Sequence, residues 1–160
     1  ANSGAFDFDG VDDRIELGVV PPVPMTMMCN ADYSIDDGFP HLLSAENSTG
    51  YDGAAVIQMN KNKGDTVATA DGTNFIIGIP PQGFQHHALV VKNDSFEYFI
   101  DGNSQGSVSQ SGIALTKTLR LGARSAGAAA QNHMNGKIDD VRIYNTALSQ
   151  SQISDIVSNT

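Results

Sequence analysis

Near the C-terminal end, the stretch GKIDDVRIY (136–144) sets two adjacent carboxylates, Asp139 and Asp140, among the apolar residues Ile138, Val141 and Ile143. Near the N-terminal end, FDFDGVDDRIEL (6–17) gathers Asp9, Asp12 and Asp13 around a glycine turn. Carboxylates so placed do one of three things: hold a hard cation, accept backbone hydrogen bonds, or move protons. Calcium takes six to eight oxygen ligands in irregular geometry, which an Asp-rich turn beside an Asp-bearing strand can supply. Asp9, Asp12, Asp13, Asp139 and Asp140 are therefore the candidate metal ligands, with structural Ca2+ the candidate cofactor. The competing reading is that Asp12 and Asp13 bond their own turn amides and Asp139 accepts from nearby N–H groups. In a regular strand, Asp139 shares a face with Val141 and Ile143 unless a bulge shifts the phase. That phase makes it an inward carboxylate that must be satisfied, because an unpaired buried charge is costly. Asp140 is then the more exposed neighbour.

The other reactive side chains form no closed motif. His86 and His87 are adjacent and point to opposite faces of a strand, so they do not chelate one ion together. His41 and His133 lie far from them in sequence, and the single Cys29 adds no zinc-type set. Cys29 sits in PMTMMCNADYS and reads as a buried small hydrophobe. The three glutamates, Glu16, Glu46 and Glu97, are widely separated, and no Gly-x-Ser-x-Gly elbow is present. The expectation is a protein without catalytic residues. For sugar recognition, which favours an aromatic ring with a polar tip, the candidates are Tyr33, Tyr51, Tyr98 and Tyr144. Tyr51, in NSTGYDGAA, reads as a loop residue, so Asn47, Tyr51 and Asp52 are the candidate ligand-binding set. Tyr98 and Tyr144 read as sheet residues.

Short strands must position these groups. Period-2 alternation runs through GAFDFDG, DRIELG, PMTMMCNADYS, PHLLSA, AAVIQMN, DTVATA, NFIIGI, HHALVVKND, SFEYFIDG, LRLGA and HMNGKIDDVRIY, with Gly, Asn and Asp between them. Asn93-Asp94 and Asp101-Gly102 read as hairpin turns. The spacing leaves no room for helical crossovers and predicts an all-β, antiparallel β-sandwich or jelly roll. One helix closes the chain. In LSQSQISDIV, Ser149 and Gln152 form a capping box, flanked by the staple residues Leu148 and Ile153.

The bulk properties bound the function. A single domain over residues 1–160 is long enough to bury a real core. The net charge of −9, with nine scattered basic residues, excludes a nucleic-acid-binding surface. No 18-residue apolar run offers membrane insertion, and ANSGAFDFDG is not a signal peptide. Asn47 and Asn93 match glycosylation sequons, a pattern common by chance.

FDFDGVDDRIEL, FQHHALVVKNDSFEYFIDG and LRLGARSAG…MNGKIDDVRIYNTALSQSQI, in this order, resemble the laminin-G-like branch of the concanavalin A-like lectin/glucanase superfamily. The family's central motif usually starts with Trp before the paired histidines; here Phe84 and Gln85 precede His86 and His87. The resemblance implies a jelly roll of two antiparallel sheets with one concave face. It also implies packing and hydrogen-bonding roles for the histidines, and in many relatives a calcium ion at the rim. The acid triplet of the glucanase relatives has no counterpart here. Two function classes follow. One is a non-catalytic recognition or adhesion module, at a cell surface or outside the cell, binding a glycan or protein surface. The other is a virion structural protein, such as a phage or virus capsid decoration or fibre component, acting through homo-oligomer assembly.

Overall fold

The alternating segments become twelve strands and the capped segment becomes a helix. The computed structural model describes residues 4–34, 40–47, 50–60, 65–78, 83–124 and 132–160. The strands are β1 (Phe6–Asp9), β2 (Ile15–Glu16), β3 (Met25–Ser34), β4 (His41–Asn47), β5 (Gly50–Asn60) and β6 (Asp65–Ala70). They continue as β7 (Thr73–Ile77), β8 (Gln85–Val91), β9 (Ser95–Ile100), β10 (Asn103–Ser109), β11 (Arg120–Leu121) and β12 (Asn135–Tyr144). The helix α1 spans Gln150–Ser158. Two six-stranded sheets form: sheet I in the order β1-β12-β3-β8-β9-β10 and sheet II in the order β2-β11-β4-β5-β6-β7. Every pairing is antiparallel. Both predicted hairpins are present, since Asn93-Asp94 joins β8 to β9 and Asp101-Gly102 joins β9 to β10. No helix among the described residues is long and apolar enough to cross a membrane.

Alternate residues from the two sheets meet in one core. Met25, Met27, Cys29, Leu89, Val91, Phe96 and Tyr98 from sheet I face Leu43, Ala45, Ala55, Ile57, Ala68 and Leu121 from sheet II. Burial pushes the Cys29 thiol up to about 12, so it stays a neutral packing group. β8 is buried along its whole length, which requires cover on both faces. The outer cover comes from α1, whose Leu148 and Ile153 pack with Met28, Ala88, Val90 and Phe99. Each such buried side chain contributes roughly 2 kcal/mol. The capping box is complete: Gln152 N donates to Ser149 Oγ at 3.3 Å and Ser149 N donates to Gln152 Oε1 at 2.9 Å. Thr26 fastens the approach to the helix, its hydroxyl donating to Thr146 O and accepting from Leu148 N.

Two local expectations need correction. In β12, Asp139 pairs with Asn30 and Arg142 with Met28, so Asp140 and Val141 together oppose Cys29 in a β-bulge. Asp140 takes φ +50°, a conformation that aspartate tolerates better than most residues. The extra residue resets the alternation. Ile138, Val141 and Ile143 all reach the core, while Asp139 shares its face with its outward partner Asn30. Asp139 is thus an outward, half-buried residue rather than an inward one, and its Oδ1 accepts the Asp140 amide at 2.8 Å. The second correction concerns Tyr51. Its backbone belongs to β5, whose first residue, Gly50, pairs with Asn47 of β4.

Candidate functional site

The N-terminal acids converge. After β1 the chain turns at Gly10, where φ is +80° and an added Cβ would come within 3.0 Å of the Asn135 side chain. The turn brings carboxylate oxygens of Asp9, Asp12 and Asp13 within 4.8 Å of one another at the rim of the sandwich. Part of their hydrogen-bonding capacity is used locally. Asp9 Oδ1 accepts from Val11 N at 2.8 Å, and Asp13 Oδ2 accepts from Asp9 N at 3.0 Å. The carboxylate of Asp12 and the second oxygens of Asp9 and Asp13 have no hydrogen-bond partner among the described residues and suit a hard cation in chemistry. His133 approaches from the side, its Nδ1 3.2 Å from the Asp13 carbonyl.

Asp139 and Asp140 do not join this group. The Asp9 partner on β12 is Asn135, so Asp139 lies four residues further along the strand, about 13 Å away. Asp140 instead binds Arg142, with Nε and Nη2 at 2.8 and 2.7 Å from Oδ1. The backbones of Asn47, Tyr51 and Asp52 lie in sheet II beside the β4–β5 turn. Their side chains lie outside the described residues.

A second polar region emerges on the outer face of sheet II. In register across the strands, one row reads Glu16, Arg120, Ser44, Val56, Thr69 and Asn74; the neighbouring row reads His41, Gln58, Val67 and Ile76. Sequence reasoning missed this patch. The available signal was isolated polar residues in apolar strands: His41 and Ser44 in HLLSA, Gln58 in VIQM and Thr69 in TVATA. Arg120 is 2 % exposed; its Nε lies 3.2 and 3.3 Å from the two Glu16 oxygens, and its Nη1 donates to Arg124 O at 2.8 Å. Ser44 Oγ donates to the same carbonyl at 3.1 Å, so the chain at Arg124 caps the β11 end of the patch. Thr69 Oγ1 donates to Asn74 Oδ1 at 2.7 Å. Gln58 is buried, and its Oε1 takes no hydrogen bond among the described residues. Exposure rises towards β7, where Asn74 is exposed and Ile76 is 56 % exposed.

The paired histidines divide between the two faces of sheet I. His87 faces the core and makes a 2.6 Å hydrogen bond from Nδ1 to Tyr98 Oη. Its ring lies 5.8 Å from the Tyr33 ring and 6.2 Å from the Tyr98 ring. Full burial pushes its pKa down to about 3, with the adjacent His86 adding to the shift. His86 lies on the outer face, buried, with neither ring nitrogen partnered among the described residues.

This sandwich, with first and last strands paired and a capped C-terminal helix, can be compared with known proteins. A laminin G family model described as concanavalin A-like lectin/glucanases superfamily matches residues 32–154. The chain belongs to the concanavalin A-like lectin/glucanase superfamily. No curated protein matches its sequence. Among solved structures, the CBM40 domain of the Ruminococcus gnavus IT-sialidase superposes with a TM-score of 0.75 at 13% identity, covering 96% of each chain. That domain is also known bound to alpha2,3 sialyllactose. Domain 4 of AbnA, an extracellular arabinanase from Geobacillus stearothermophilus, in complex with arabinotriose, gives 0.74 at 19% identity. The match covers 98% of this chain and 78% of that one. A heptameric SAP-like pentraxin from Limulus polyphemus gives 0.73 at 16% identity, covering 94% and 80%. At such identities the likeness is one of fold.

Proposed function

We infer that this domain of the concanavalin A-like superfamily recognises carbohydrate without transforming it, as a surface-recognition or adhesion module. The observation that carries the reading is the outer face of sheet II. An exposed apolar residue, Ile76, stands on β7 close to the exposed Asn74, whose side chain is held by the Thr69 hydroxyl. A sugar ring has the matching character, with C–H groups for Ile76 and hydroxyls for the exposed amide of Asn74. Asn47, Tyr51 and Asp52 belong to the same sheet and extend the proposed contact surface. The fold likeness to carbohydrate-binding modules supports the same reading.

Isothermal titration with arabinotriose and with sialyllactose, following a glycan array, tests it. Ile76→Ser is expected to weaken binding of the recognised sugar about tenfold, the equivalent of about 1.4 kcal/mol, with an unchanged melting temperature. Undiminished affinity would place the sugar elsewhere. If no glycan binds at all, the alternative gains: a self-assembling virion component, for which Phe6, 53 % exposed on the edge strand β1, offers an apolar contact.

The rim turn is the proposed calcium site, formed by Asp9, Asp12 and Asp13. The ion would neutralise three clustered carboxylates and brace the turn, so its role is structural. Melting with millimolar calcium is expected to exceed melting with EDTA, because a ligand bound only by the folded state stabilises it. Asp12→Asn should abolish the difference. Equal melting in both buffers would remove calcium from the account.

A further inference from the structure

The β12 bulge and the outward histidine leave two unsatisfied groups on one face. His86, 3 % exposed, has no partner at Nδ1 or Nε2 among the described residues. Asp140 has one oxygen held by Arg142, while Oδ2 is buried without a partner among the described residues. Unpaired buried polar atoms are rare and costly, so two beneath one surface call for a common explanation. The register supplies it. Asp139 of β12 pairs with Asn30 of β3, and Asn30 pairs with His86 of β8. His86 and the bulge are therefore two strand spacings apart, about 10 Å between backbones. An imidazole and a carboxylate leaning towards each other over Asn30 can close that gap.

We propose that Asp140 is a shared acceptor operated by protons. Arg142 holds Oδ1 at neutral pH, and on acidification the His86 imidazolium takes the unpaired Oδ2, tying β8 to β12 across β3. The proton comes from solvent and no other bond changes. The charged groups around His86 are few. β12 brings Asp139, Asp140 and Arg142; the β9–β10 turn brings Asp101, whose Oδ1 accepts the His86 amide at 2.8 Å. Asn30 of β3 is uncharged, His87 points into the core, and the sole charged residue of α1, Asp155, is exposed. Burial lowers the His86 pKa, keeping the ring neutral near pH 7; Asp140 and Asp101 raise it, and Arg142 lowers it.

The test is an NMR titration of the His86 ring in the intact domain. Asp140→Asn is expected to move its midpoint to lower pH, and Arg142→Gln, which frees the carboxylate, to higher pH. Asp139→Asn removes the same charge one residue away and should shift the midpoint much less. Chemical shifts of the core methyls report that each variant remains folded. Equal shifts from Asp139→Asn and Asp140→Asn would overturn the proposal in favour of a general field. A midpoint indifferent to Asp140 would overturn it outright.

Discussion

Gly136→Ala is expected to cost about 4 kcal/mol or more and to prevent folding at 37 °C if the domain has ordinary stability. Gly136 sits in β12 between Phe8 of β1 and Tyr33 of β3. Its φ of +144° lies outside the range open to residues with a side chain. An added methyl would overlap the Asp32 carbonyl oxygen and sit 2.6 Å from the Tyr33 Cα. Those are backbone atoms of a paired strand, so relief requires breaking the β3–β12 register. Backbone strain and overpacking then add. Lys137→Ala, at the exposed neighbouring position, should change stability by less than about 0.5 kcal/mol and serves as the control. Urea unfolding of both variants measures the difference. A Gly136→Ala protein melting like its parent would mean that β12 does not run against β3 in this register.

Acidification from pH 7 to pH 5 is expected to destabilise the domain by roughly 2 kcal/mol through His87 alone. The folded-state pKa, about 3, lies below the unfolded value of 6.5. Between these values the unfolded chain binds a proton that the folded core refuses, so stability falls as pH drops below 6.5. Above pH 6.5 the contribution is flat. The slope approaches one proton, roughly 1.4 kcal/mol per pH unit. His86, also lowered, adds to the slope in the same direction. His87→Gln should be less stable at pH 7, because it disturbs the 2.6 Å bond to Tyr98, yet its stability should fall less steeply with pH. Urea midpoints at half-unit pH steps distinguish the cases, and an unchanged slope would exclude His87 as the source.

What the sequence disclosed followed from local rules. The capping box at Ser149 and Gln152, the hairpin turns at Asn93-Asp94 and Asp101-Gly102, and the buried state of Cys29 each depend on residues within a few positions. The structure matches all of them. The family resemblance agrees with the match over residues 32–154, which contains its central and C-terminal segments; the N-terminal segment, 6–17, lies outside that match. Phase was less legible. One inserted residue at Asp140 turns Asp139 outward, and nothing in KIDDVRIY marks which aspartate takes the positive φ. The sheet II patch was hidden because its rows join residues from distant strands, such as Arg120 with Ser44 and with Glu16. Single polar residues in apolar strands read as noise until pairing aligns them. The rim acids lay close enough in sequence for their convergence to be anticipated; Asp139 and Asp140 were tied to them only through an unknown register.

The position of β12 has a consequence for how the chain is made. It lies between β1 and β3, so the first strand of the fold finds its hydrogen-bonding partner only in the last. During synthesis, β1 and the open edge of β3 emerge more than a hundred residues before their shared neighbour. A nascent chain held on a ribosome thus exposes the β3 edge, with Met27 and Cys29 behind it, for most of elongation. Such long-range pairing favours slow, late and all-or-none closure over stepwise assembly from the N-terminal end. Delivery of β12 seals the slot in sheet I, and the helix that follows immediately locks it from outside.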